Sequence, residues 1–159
     1  MVTVSPSECE ASPNWAYSLQ LPHDPRAARI ARVTLRAVLV GHGMSQLQDS
    51  AELLASELVT NAYRYSTGPA TLRLRGLTHA RLRVSVWDAD PHIPPPFGER
   101  SGPVGPVPAE ADSGRGLFLV RHYAQAWGGY PLGGGPSGQG GKLLWCEVGV
   151  RGERPAAGA

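Results

Sequence analysis

Glu57 and Asn61 lie four residues apart in Glu57-Leu58-Val59-Thr60-Asn61-Ala62, inside a stretch whose apolar residues recur at helical spacing. Four residues is about one helical turn, so a carboxylate and a carboxamide share one face of a helix otherwise patterned for burial. Downstream, Asp88 ends a run of alternating strand residues, and Gly114-Arg115-Gly116-Leu117 opens a second helical pattern. Together these groups divide the tasks of a nucleotide and magnesium site. The side-chain oxygen of Asn61 suits magnesium, which takes few protein ligands and completes its shell with water and phosphate oxygens. Glu57 can orient a metal-bound water or accept a proton from an attacking hydroxyl. Asp88 can accept a hydrogen bond from the exocyclic amine of adenine. Gly114 and Gly116 let backbone approach a phosphate closely, where free N–H groups and the helix dipole favour its charge. Arg64 and Arg115 are the nearest phosphate cations.

The elements that must position these groups can be read along the chain. Trp15, Tyr17, Leu19 and Leu21 share one phase of a first strand. Asp24 as N-cap and Pro25 at the first helical position start a helix that runs to about Val40, where Gly41-His42-Gly43 stops it. Arg26, Arg29, Arg32 and Arg36 lie largely on its polar side and read as a solvated face. A second helix spans about Leu47 to Tyr65, with Leu54, Leu58, Ala62 and Tyr65 along its apolar stripe. Thr71 to Arg75 and Arg81 to Asp88 then form an antiparallel hairpin. In the second of these strands Asp88 shares the phase of Leu82, Val84 and Val86, so it points inward and needs a partner. Residues 89–113 hold seven prolines and three glycines in 25 positions and read as a lid. A helix from Leu117 to about Trp127, a short strand at Tyr130 to Leu132 and a last strand from Leu143 to Val150 complete the order.

That order offers few parallel crossovers. The expected fold is therefore α+β, a two-layer sandwich with a mixed, mainly antiparallel sheet and helices on one face. The other face would carry Arg73, Arg75, Arg81, Arg83, Trp87 and Trp145. Residues 1–14 and 151–159 read as flexible tails around one domain at 15–150. The chain has 159 residues, 42% hydrophobic and 18% charged, enough for one real core. A net charge of +2 is too small to argue for nucleic acid, and no apolar run spans a bilayer. Two cysteines, Cys9 and Cys146, make no disulfide framework, and with no basic-then-apolar leader the reading is cytoplasmic.

In their order and contexts, these residues resemble the ATPase superfamily shared by gyrase, Hsp90, histidine kinases and mismatch-repair proteins, the Bergerat ATP-binding fold. The closest resemblance is to the stand-alone anti-sigma factor serine/threonine-protein kinases of actinobacterial type, over roughly residues 16–150. It implies that Asn61 binds magnesium, Glu57 is the catalytic base and Arg64 is the basic residue that often follows. It implies also that Asp88 reads adenine and that Gly114, Arg115, Gly116 and Leu117 form the glycine box at the end of the ATP lid. Gly141-Lys142-Leu143-Leu144-Trp145 resembles the terminal strand. The implied cofactors are ATP and Mg2+. The implied partners are a sigma factor and an anti-anti-sigma protein of STAS type. The sequence leaves open whether the protein is a homodimer, and its charge and hydropathy argue against direct contact with nucleic acid or membrane. Three features depart from the pattern: Asp90 stands where Asp-x-Gly would place glycine, the terminal strand lacks a threonine, and the lid is rich in proline. Asp tolerates left-handed backbone, so such a turn can survive the exchange. A non-catalytic nucleotide-binding module that switches partners by contact alone is the alternative.

Overall fold

The computed structural model describes residues 15–98, 115–133 and 140–150. The elements run β1 (Ala16–Leu21), α1 (Ala27–Gly41), a 3-10 turn at Ser45–Leu47, α2 (Gln48–Tyr65), β2 (Ala70–Thr78), β3 (Arg81–Asp88), α3 (Arg115–Tyr123), β4 (Ala126–Leu132) and β5 (Gly141–Gly149). The five strands form one sheet in the order β1-β2-β3-β5-β4. Every pairing among them is antiparallel, so the mixed character expected from the sequence is absent from the described strands.

The core lies between this sheet and the helices. Period-2 geometry sends Leu72 and Leu74 of β2, Leu82, Val84 and Val86 of β3, and Leu144, Cys146 and Val148 of β5 to the helix side. Helix α1 joins the same core along Ala27, Ala31, Leu35 and Leu39, a stripe at four-residue spacing. Helix α2 buries a wider arc, including Ala51, Leu54, Ala55, Leu58, Val59 and Ala62, because it packs on α1, α3 and the sheet. Each fully buried leucine contributes roughly 1.5–3 kcal/mol by leaving water. Two polar bridges fasten α1 to α2: Arg36 reaches Glu52 at 2.7 Å and Arg32 donates to Ser56 Oγ at 2.8 Å. Arg32 is thereby half-buried against α2, whereas Arg36 bridges to Glu52 while staying exposed. The solvated face expected from the sequence therefore holds for Arg36 but not for Arg32.

On the opposite face Arg73 and Arg75 are exposed. Arg81 and Arg83 instead converge on Glu147 of β5, and the Arg83 guanidinium lies 4.6 Å from the centre of the Trp145 ring. Their alternation in sequence looks like a solvated ladder, but register places Arg83 directly opposite Glu147.

Several boundaries differ from the sequence reading. Asp24 Oδ1 does accept the Arg26 N–H at 2.8 Å, as an N-cap would, yet regular helix begins only at Ala27. Tyr65 is 50% exposed, so the apolar stripe of α2 ends at Ala62. Strand β2 extends through Thr78, carried past Gly76 by an irregularity in register. Helix α3 stops at Tyr123, and Trp127 belongs to β4, which starts four residues earlier than expected. Trp127 pairs with Cys146 and is buried in the sheet layer, so tertiary contact overrides a helical pattern there.

Candidate functional site

Helix α2 brings Glu57 and Asn61 to one face, one turn apart, as their spacing requires. Asn61 is only 5% exposed, and its Oδ1 is buried with no hydrogen-bond donor among the described residues. An enclosed amide oxygen left unpaired costs about 1–3 kcal/mol, so this atom is poised to accept from something outside the described chain. A hard cation is one such group, which makes the donor chemically fit for magnesium. Among the described residues no three His, Cys, Asp or Glu side chains converge as a metal cage. An ion at Asn61 would take its remaining ligands from water and phosphate, as magnesium does.

Glu57 is half-buried, and that burial pushes its carboxyl above the ordinary 4.5, while the positive charge of Arg64 pulls the other way. A carboxylate with raised proton affinity is a better base at neutral pH. Arg64 itself is exposed in the last turn of α2. That turn is steadied by His23, whose Nε2 hydrogen-bonds the Tyr63 carbonyl at 2.9 Å while the two rings stack.

Asp88 ends β3 on the helix side at 1% exposure, as the alternation required. Burial pushes its carboxyl above the ordinary range, and hydrogen bonds from Lys142 and the Asp90 N–H oppose that. The partner is Lys142, whose Nζ lies 2.9 Å from Asp88 Oδ1. Lys142 is itself 1% exposed and faces Asp88 across the β3–β5 ladder. Sequence reasoning placed Lys142 on the last strand but gave it no role. The legible clue was its phase, since Lys142 heads the inward row Leu144, Cys146 and Val148. Asp90 adopts no left-handed backbone, because no non-glycine described residue has positive φ. The turn is held instead by side chains: Asp88 Oδ1 accepts the Asp90 N–H and Asp90 Oδ1 accepts the His92 N–H.

Helix α3 begins at Arg115, where the sequence places the glycine box. Gly114 and lid residues 99–113 lie outside the described residues, and nothing of the Arg115, Leu117 or Phe118 side chains is described. Helix α3 packs on α2, the helix that carries Glu57 and Asn61.

A five-stranded antiparallel sheet under helices, with a carboxylate, a carboxamide unpaired among the described residues and an inward aspartate, defines a two-layer α/β sandwich. The profile of the histidine kinase-like ATPase domain matches residues 21–130, more than half of the chain, and the chain belongs to that family. It is also similar to an uncharacterized protein of Streptomyces coelicolor, 42% identical over 60 residues. That match takes in 38% of this chain and 51% of the relative, so the chain spans about half the length of the relative it matches. Asn61, Asp88 and the glycine box fall within the family match, whereas Lys142 and β5 lie beyond it.

Proposed function

We propose that this chain is an ATP- and Mg2+-dependent anti-sigma regulatory factor, a protein-serine kinase acting on an anti-anti-sigma partner of STAS type. The observation that carries the reading is the buried Oδ1 of Asn61, unpaired among the described residues, one turn beyond a carboxylate whose proton affinity burial has raised. Bound Mg2+ would supply neutralisation of phosphate charge. The chain's own residues do the rest. Asn61 offers the enclosed oxygen ligand, Asp88 meets the base, and Glu57 accepts the proton of a seryl hydroxyl brought to it. Ile30, Val33 and Val40 leave apolar surface exposed on α1, next to Arg29, which suits contact with a protein partner.

The second reading is a module that retains nucleotide and switches partners by contact alone. It is favoured by Asp90, a second carboxylate beside Asp88 where the Asp-x-Gly pattern would place glycine. Incubation with γ-labelled ATP and candidate sigma and STAS-type proteins separates the two. The kinase reading expects label on a serine of the STAS-type partner, lost in Glu57→Ala. Partner binding with no transferred label, unchanged in that variant, sinks it.

A further inference from the structure

Lys142 is the one lysine of the chain, and it is sealed inside the protein. Its Nζ donates to Asp88 Oδ1 at 2.9 Å and to the Asp90 carbonyl at 3.1 Å, and lies 3.5 Å from Asp90 Oδ2. The three donors of an ammonium thus have three acceptors inside the protein. Such a cluster is a costly way to join two strands, since the next inward rung, Val86 opposite Leu144, does so with apolar groups. What it achieves is local to Asp88. Both the Lys142 ammonium and the Asp90 N–H bond fall on Asp88 Oδ1. Oδ1 is tied down by both, and among the described residues no hydrogen bond falls on Oδ2, the oxygen that could meet a ligand.

We propose that Lys142 is a positioning residue that sets base specificity, holding Asp88 ionised and anchored through Oδ1 so that Oδ2 accepts from a 6-amino purine and rejects a 6-keto one. This rests on the ATP-site reading above and extends it to a residue outside the family match. An exocyclic amine gives Oδ2 a proton, whereas a keto oxygen sets two acceptors against each other. Without the ammonium, a carboxyl this buried would take up a proton rather than hold an uncompensated charge. The resulting hydroxyl can donate to a keto oxygen, and the selection disappears. Asp90 completes the balance as the second carboxylate around the cation.

The test is calorimetric binding of magnesium-ATP and magnesium inosine triphosphate, whose bases differ at the 6 position, to wild type and Lys142→Met. Wild type is expected to favour ATP by about ten-fold or more, and Lys142→Met to narrow the ratio to about three-fold or less. A merely structural lysine would weaken both nucleotides together and leave the ratio unchanged, which would overturn the proposal. If Lys142→Met does not fold, the double variant Asp90→Asn/Lys142→Met removes the cation with one carboxylate and is read by the same criterion. Wild type binding neither nucleotide defeats the ATP-site reading itself. Wild type binding both equally defeats only the role given to Lys142.

Discussion

Asn61 and Glu57 share a helix face, and single substitutions can part the duties proposed for them. Asn61→Ala removes the enclosed oxygen, so the variant is expected to lose the magnesium-dependent share of ATP affinity, about ten-fold or more. Titrating wild type with a chelator present should bring it down to the variant's level, and a variant still responsive to magnesium would contradict the assignment. Glu57 is predicted from the direction of its shift. Its folded state binds a proton more tightly than its unfolded state, so its contribution to stability is full below about 4.5 and is lost as pH rises through the higher folded value. Glu57→Gln is therefore expected to melt above wild type at pH 7 and level with it near pH 4, while keeping ATP binding and losing transfer. Melting curves at the two pH values check the first half, and a lower melting temperature at pH 7 would refute it. The inward aim of Asp88 was legible because alternation alone fixes phase. Its partner was not, since which strand lies opposite is settled by sheet order and register, and Lys142 is 54 residues away in the chain.

At the scale of elements, the β3–β5 ladder is what brings Lys142 to Asp88, and Gly141 lets the two strands close. A Cβ at Gly141 would run into the backbone carbonyl of Asp88 and press on the Trp87 indole. Gly141→Ala is expected to cost about 1–3 kcal/mol in urea denaturation and to weaken ATP binding, because the displaced carbonyl belongs to Asp88 itself. Gly68→Ala, with open space around it, is the control and should change neither. Strands β1, β3 and β5 and helices α1 and α2 were legible from period and caps to within a few residues. The end of α3 was not. Residues 117–127 keep enough helical spacing to extend the pattern, and only pairing with β5 draws Trp127 into a strand. The bridges from Arg32 and Arg36 to α2 were hidden for a similar reason, since a polar helix side looks solvated until a second helix is laid against it.

For the whole molecule, the proposed site draws on two layers: α2 carries Glu57 and Asn61, while the sheet carries Asp88 and Lys142. A nucleotide held by both layers binds the folded chain and not the unfolded one, so occupancy should appear as global stability. With free nucleotide at 100 times its Kd, the linkage contribution is about 2.7 kcal/mol. For a domain of this length, each kcal/mol moves the melting temperature by roughly 2–4 °C, so saturating magnesium-ATP should raise it by about 5–11 °C. ATP with chelator, matched in concentration, should give a smaller rise, and Asn61→Ala should show the same small rise with or without magnesium. Leu58→Ala tests the other side of this coupling. It opens a cavity behind Glu57 and Asn61 and is expected to lower the melting temperature of the free protein through a loss of about 2–5 kcal/mol. Because the face bearing the ligand groups remains, the shift produced by magnesium-ATP should persist in that variant. Loss of the nucleotide shift in Leu58→Ala, with the fold still cooperative, would show that α2 packing and nucleotide binding are one unit and not two layers meeting at a site.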